Sequence, residues 1–353
     1  MGTIGNSYSP LKLDESVLNT KLNKIASENL DMNGFDITGV NTINGGLMDG
    51  FRNKVINSNF DFWNQATSQT TNGYGSADIW FNNHSGSTKT TSRQAFSIGQ
   101  TDVPGNPTYY CRTVVSSVAG ASNSVSLRHR VENVSHLSGK TVTLTFYAKA
   151  DSAKDIAILI GQNFGTGGSP SSYVNVDVNT ITLSTAFQKF TYTIDIPSVS
   201  GKTLGTDDND YLEVVFWFDA GSSVDAFTNS LGQQSGTFDI ARVSLVEGDA
   251  TNEDDPFPAY DISIEALRVK RYFEICHSFG FSYFNAVTAN ALDQFSVGMT
   301  YAVPKRATPT LTTISSGSGT YAVIYNTATR VAHRVTINFS TYLDITFSVD
   351  ARL

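Results

Sequence analysis

Apolar and polar positions alternate with a period of two along much of this chain. From Thr141 to Ala150, Val142, Leu144, Phe146 and Ala148 fall on one face and Thr143, Thr145, Tyr147 and Lys149 on the other, the pattern of a strand with one side on a core. The same period runs through Phe190–Ile196 and Tyr211–Asp219, and turn-rich stretches such as Gly165–Pro170 and Gly201–Asp210 lie between. Half-buried antiparallel strands read this way. No helix of any length is predicted between Lys54 and Val246. A region of short strands and long loops closes most economically as two packed sheets, a sandwich or jelly roll.

The pattern changes on both sides of that region. Leu11, Leu18, Leu22 and Ile25 recur at helical spacing, with Asp14, Glu15, Lys21 and Lys24 on other faces. This fits a single-seam helix packing against copies of itself, and equally a surface helix docked on its own domain. Leu30, Met32, Phe35, Ile37, Val40 and Ile43 follow, separated by Asn, Gly, Asp and Thr, which suits short strands and turns wound about a common axis. So few large apolar side chains cannot enclose a core alone, so residues 1–53 are expected to be a stem that needs partner chains.

After the strand region, Glu247–Pro258 is rich in Asp and Pro and reads as a linker. It leads into Ile262–Ile275, where Ile264, Leu267, Val269, Tyr272, Phe273 and Ile275 among Glu265, Arg268, Lys270, Arg271 and Glu274 give the strongest helical signal in the chain. Strands resume from Phe279, with Ala322–Tyr325, Val335–Phe339 and Tyr342–Val349. The chain therefore reads as mainly β in four parts: a fibre-like stem with a short N-terminal helix (1–53), a jelly-roll β-sandwich (54–249), a linker and helix (250–276) and a small C-terminal β domain (277–353).

Composition narrows the function. Charged residues make up only 16% of the chain and the net charge is −8, which argues against a nucleic-acid partner, since such proteins concentrate Lys and Arg. The longest apolar run, Ile156–Ile160, falls far short of a membrane span, and Met1–Pro10 lacks the regions of a signal peptide. Synthesis in the cytoplasm, with release by assembly into a particle freed at lysis, fits both. Cys111 and Cys276 have no metal spacing and read as buried free thiols.

Several segments resemble those of bacteriophage tail fibres and related virion appendages that carry a jelly roll similar to carbohydrate-binding modules. They are Asn57-Ser58-Asn59-Phe60-Asp61-Phe62-Trp63 followed by Asp78-Ile79-Trp80, then Leu137–Ala150, Phe238–Gly248, the helical Glu265–Glu274, and Val297–Leu311 with Pro304–Thr310. Leu30–Gly39 resembles a fibre shaft. The resemblance implies a homotrimer held through the stem residues Leu18, Leu22 and Ile25, attachment to a phage tail or adaptor protein, a place on the virion, and Trp63 and Trp80 as core anchors. It also implies a structural calcium near the last strand of the sandwich, for which Asp239 is the one nameable ligand.

Candidate chemistry favours binding over catalysis. The five histidines lack metal-ligand spacing, and His129, inside Arg128-His129-Arg130, is expected at an exposed strand edge or loop. No nucleophile elbow or phosphate-binding glycine loop occurs. Asp207, Asp208 and Asp210 read as a solvated loop before a calcium or catalytic site. Alternation places Tyr147, Lys149, Glu213, Trp217 and Asp219 opposite the core-facing residues of their strands. Aromatic rings beside charged groups suit a sugar, although Trp217 and Tyr147 fit burial under a loop or between subunits as well. The expectation is a non-enzymatic virion appendage that attaches to a host-surface glycan. The alternatives are a connector or decoration protein making protein contacts only, and an envelope depolymerase with paired carboxylates.

Overall fold

The computed structural model describes residues 42–43, 46–47, 52–253, 255–257, 261–281, 293–316, 320–337 and 342–353. The chain divides into two units, Met1–Met48 and Asp49–Leu353. In the first, β1 (Thr42–Ile43) pairs antiparallel with β2 (Gly46–Leu47). The expected seam residues Leu18, Leu22 and Ile25, and the shaft-like stretch 30–39, lie outside the described residues.

The second unit runs, in chain order, through β3 (Ser68–Gln69), β4 (Trp80–Ser85), β5 (Thr88–Ala95), β6 (Tyr109–Ser116), β7 (Ser124–Glu132), β8 (Thr141–Ala150), β9 (Lys154–Asn163), β10 (Val174–Leu183), β11 (Gln188–Asp195), β12 (Tyr211–Ala220), α1 (Asp225–Thr228), β13 (Gly236–Glu247) and α2 (Ile262–Lys270). It ends with β14 (Phe273–Phe281), β15 (Asp293–Thr300), β16 (Thr310–Ser316), β17 (Thr320–Asn326), β18 (Arg330–Ile337) and β19 (Tyr342–Asp350). Residues 68–247 form the jelly-roll sandwich that the alternation predicts. One sheet has the order β10-β9-β12-β7-β4, the other β11-β8-β13-β6-β5-β3, and all their pairings are antiparallel.

The core lies where the alternation puts it. Val142, Leu144, Phe146 and Ala148 of β8 meet Leu212, Val214, Phe216 and Phe218 of β12 between the sheets. Phe146 and Phe216 pack edge to face with ring centres 4.9 Å apart, and Phe218 stacks on Phe238 at 5.0 Å. Trp80 is fully buried and stacks on Phe60 at 4.9 Å, and its indole N–H donates to the Asn57 carbonyl at 3.1 Å. The Asn57 side chain closes the turn, donating to the carbonyls of Phe62 and Asp78 and accepting from the Phe62 N–H, each at 2.9 Å. Trp63, too, is buried.

Three expectations need correction. His129 is fully buried rather than at an edge, because β7 lies inside its sheet between β12 and β4. Its Nε2 accepts the Ile56 N–H at 3.0 Å, and burial, aided by the Arg268 charge, pushes its pKa down to about 3. The strands β8 and β12 are covered on both faces instead of one: the linker after β13 lies over the outer side of β8, and Val224, Phe227 and Leu231 pack over that of β12. Thr143 Oγ1 donates to the Gly248 carbonyl and accepts from the Ala250 N–H, and Ala250 and Phe257 are buried.

The helix is the third: it stops at Lys270 and Phe273 opens a strand. The run Phe273, Ile275 and Cys276 suits a strand as well as a helix, and here it pairs with β19. Asp261 caps α2, accepting from the N–H groups of Ser263 and Ile264. Its inward face is partly polar: Glu265 accepts the Asn57 N–H at 2.5 Å and Arg268 donates to the Asn53 carbonyl at 2.9 Å, while Ile264 and Leu267 face outward.

The C-terminal strands form two three-stranded antiparallel sheets, β14-β19-β16 and β15-β18-β17, around Cys276, Tyr301, Val331, Ile345, Phe347 and Val349. They meet the sandwich within the same unit. Arg271 forms a two-pronged pair with Glu132 at 2.9 and 2.7 Å, and the Leu353 carbonyl accepts from Tyr74 Oη and from Arg130. Cys111 and Cys276 are buried free thiols.

Candidate functional site: a groove on the five-stranded sheet

Alternation on β12 turns Tyr211, Glu213, Val215 and Trp217 to the outer face of the five-stranded sheet. Val215 and Trp217 pack there with Ala157 and Leu159 of β9. The segment between β12 and β13 crosses this face as a strap. Within it, a turn of 3-10 helix (Ser222–Val224) precedes α1, and Val224, Phe227 and Leu231 pack onto the apolar patch. Asn175 on β10 donates to the Ala226 carbonyl at 3.0 Å, fixing the strap to the far edge of the sheet.

Beside the strap is a groove of about 330 Å³. Strand β7 supplies Arg128, β9 supplies Leu159 and Asn163, β12 supplies Tyr211, Glu213 and Trp217, Tyr173 enters just before β10, and Val224 and Phe227 come from the strap. Glu213 is buried, and its Oε1 accepts from Tyr173 Oη at 2.7 Å. Its Oε2 lies 4.0 Å from Arg128 Nη1, beyond hydrogen-bond reach, and has no hydrogen-bond partner. The Trp217 Nε1 is likewise buried without one. Burial, and then the Glu213 charge, raises the Tyr173 hydroxyl above its ordinary pKa, so it stays a donor. The Arg128 guanidinium lies 5.1 Å from the Trp217 ring centre, and Arg130 sits 4.7 Å from both Phe81 and Tyr211.

The five residues that alternation sets opposite the core are not brought together. Glu213 and Trp217 line the groove, but Tyr147 and Lys149 belong to β8, in the other sheet, so their outer face lies on the far side of the core. Tyr147 is buried there with Val103, Tyr110 and Ala241. Asp219 is fully buried beyond a register shift after Trp217 and accepts from Ser87 Oγ at 2.6 Å, Ser117 Oγ at 2.8 Å and the Gln234 N–H at 2.8 Å. It staples loops. Arg128, Tyr173 and Tyr211 were missed. The period of two that marks Glu213 and Trp217 also marks Tyr211, whereas the approach of Tyr173 depends on the fold.

Asp239 does not suit a calcium ion. Arg112 takes both its oxygens at 2.8 Å, and Lys149 Nζ lies 3.8 Å away, so two cationic side chains stand where a divalent ion would need further oxygens. Among the described residues no group of three or more His, Cys, Asp or Glu side chains is placed to hold a metal. Asp207 and Asp208 are exposed, with Asp207 accepting from Thr166 Oγ1 at 2.6 Å.

No known protein family and no curated protein matches the chain. Solved structures similar to parts of it include a CBM4 domain, at 16% identity and a TM-score of 0.31 over 55% of this chain and 99% of that one. A family 11 carbohydrate-binding module from Clostridium thermocellum matches at 12% identity and 0.31, over 51% and 95%. The enzymatically active domain of bacteriophage CBA120 tailspike protein 4 matches at 11% and 0.32, over 57% of this chain and 22% of that one. Likenesses this distant leave function to be read from the residues of the groove.

Proposed function

We propose that this protein is a non-enzymatic virion appendage, a homotrimer that attaches to a host-surface glycan through the groove on its five-stranded sheet and to a phage tail or adaptor protein through its stem. The observation that carries the glycan reading is the pairing, in one aromatic-lined groove, of an acceptor and a donor without protein partners, Glu213 Oε2 and Trp217 Nε1. Sugars bring hydroxyls that can donate to the first and oxygens that can accept from the second, while their C–H faces suit Tyr173 and Tyr211. Trimer, virion and tail partner follow the sequence resemblance of the stem and the sandwich.

Binding rather than hydrolysis is favoured because glycoside hydrolysis uses two flanking carboxylates. Glu213 is the one carboxylate among the residues lining this groove. The test is binding of the full chain to polysaccharide from the host surface, with Glu213→Gln and Tyr211→Ala beside the wild type. Saturable binding that both substitutions weaken at least tenfold supports the reading. No binding by the folded wild type overturns it in favour of the structural connector.

A further inference from the structure

We infer that the groove is blind at one end and takes the terminus of a saccharide chain, not an internal stretch; this rests on the glycan reading above. Three observations converge. The strap lies across the sheet face from β12 to β10, its Phe227 and Val224 form part of the groove wall, and the apolar patch beneath it, Ala157 and Val215, is sealed from solvent. A linear polymer running along the sheet would have to pass through that packing.

The groove is also small, about 330 Å³, at the lower end of the ~300–1,000 Å³ typical of small-molecule sites, which leaves little room for a run of sugar rings. Finally, the polar atoms without partners are concentrated in one place. Glu213 Oε2 and Trp217 Nε1 belong to residues four apart on the same face of β12, and Trp217 is the one that packs with the strap residues. A terminal sugar unit, with more free hydroxyls than an internal one, supplies the donor and the acceptor together.

The strap is held in place by contacts that do not involve the groove. Asn175 holds Ala226, the Ala220 N–H donates to the Gly232 carbonyl at 3.0 Å, and Asp219 accepts the Gln234 N–H. The end wall is thus part of the folded sandwich before any ligand arrives.

The experiment uses the full chain and a ladder of fragments, from monosaccharide to hexasaccharide, cut from the host polysaccharide that the intact protein binds. Titration calorimetry should show affinity reaching a plateau by the disaccharide, with less than a threefold gain for longer members. Hexasaccharide immobilised through one end should bind and the same hexasaccharide immobilised through the other should not. Affinity that climbs tenfold or more between disaccharide and hexasaccharide, or binding from both orientations, overturns the blind end and leaves the glycan reading standing. Absence of binding to the intact polysaccharide removes the reading itself, and the inference with it. In Phe227→Ala, which opens the end wall without touching Glu213, longer fragments should gain affinity over the disaccharide; an unchanged plateau in the folded variant overturns the role given to the strap.

Discussion

The Tyr173 hydroxyl reaches Glu213 by lying directly over Gly161. A methyl group at residue 161 would stand 1.7 Å from Tyr173 Oη, so the hydrogen bond to the carboxylate exists because this position carries no side chain. Gly161→Ala should push the ring away and leave both Glu213 oxygens without a hydroxyl partner. We expect glycan affinity to fall about tenfold, roughly 1.4 kcal/mol, in calorimetric titration. The circular dichroism spectrum should stay that of the wild type, because Tyr173 is only partly buried and can swing outward.

Tyr173→Phe isolates the hydroxyl from the ring. Removing the donor strands a buried carboxylate oxygen at a cost of about 1–3 kcal/mol, read as a lower urea midpoint with unchanged slope. Full stability in this variant would mean that Glu213 finds another partner.

Acid should destabilise the fold through His129. In the folded chain its imidazole stays neutral down to about pH 3, whereas the unfolded chain takes up the proton near the ordinary 6.5. Stability from this group is therefore present above about pH 6.5 and lost as the pH falls towards 3. Asp78 tilts the other way: burial raises it from 3.8 to about 6, so its contribution is present at low pH and lost as the pH rises between those values. Between about pH 4 and 6 the two slopes oppose each other, so urea unfolding should show nearly level stability in the wild type and a fall with rising pH in His129→Gln.

The Arg112–Asp239 pair should outweigh any effect of calcium. Arg112→Ala leaves Asp239, itself buried, with Lys149 alone at 3.8 Å, and should cost about 2–3 kcal/mol, at or below the lower end for breaking a buried pair because Arg112 is partly exposed. Calcium or a chelator should move the melting temperature of the wild type by less than about 1 °C. A larger rise with calcium would show oxygen ligands for it elsewhere in the chain.

Trp80 carries the packing of the opening turn. Trp80→Ala should cost about 3–5 kcal/mol in chemical denaturation, since it removes a fully buried indole stacked on Phe60. Trp80→Phe should cost less, because the Asn57 carbonyl keeps the Phe60 N–H as a donor.

Much of the sandwich was legible because its strands obey a period of two. Val142 to Ala148 and Leu212 to Phe218 both reach the core that their alternation assigns them. Periodicity fixes a face within one strand but not the sheet to which the strand belongs, and so Tyr147 and Trp217 looked like neighbours although the core lies between them. The basic flanks of His129 suggested solvent, but Arg128 and Arg130 point out of the strand and His129 points in. The strap left no periodic trace: Val224, Phe227 and Leu231 sit among Ser, Asp and Asn, and only the folded chain shows that they cover Trp217.

Strand β7 has a mechanical consequence. On its core side His129 holds the backbone of Ile56, near the start of the body, and on its outer side the next residue, Arg130, holds the carbonyl of Leu353. The groove is built on the same strand and on β12 beside it, through Arg128 and Glu213. A pull between a ligand held at Arg128 and Glu213 and the backbone at Ile56 would be borne by β7 and by its pairing with β12. The C-terminal sheets, held to the same strand through Arg130 and the Arg271–Glu132 pair, would brace that strand from its outer side.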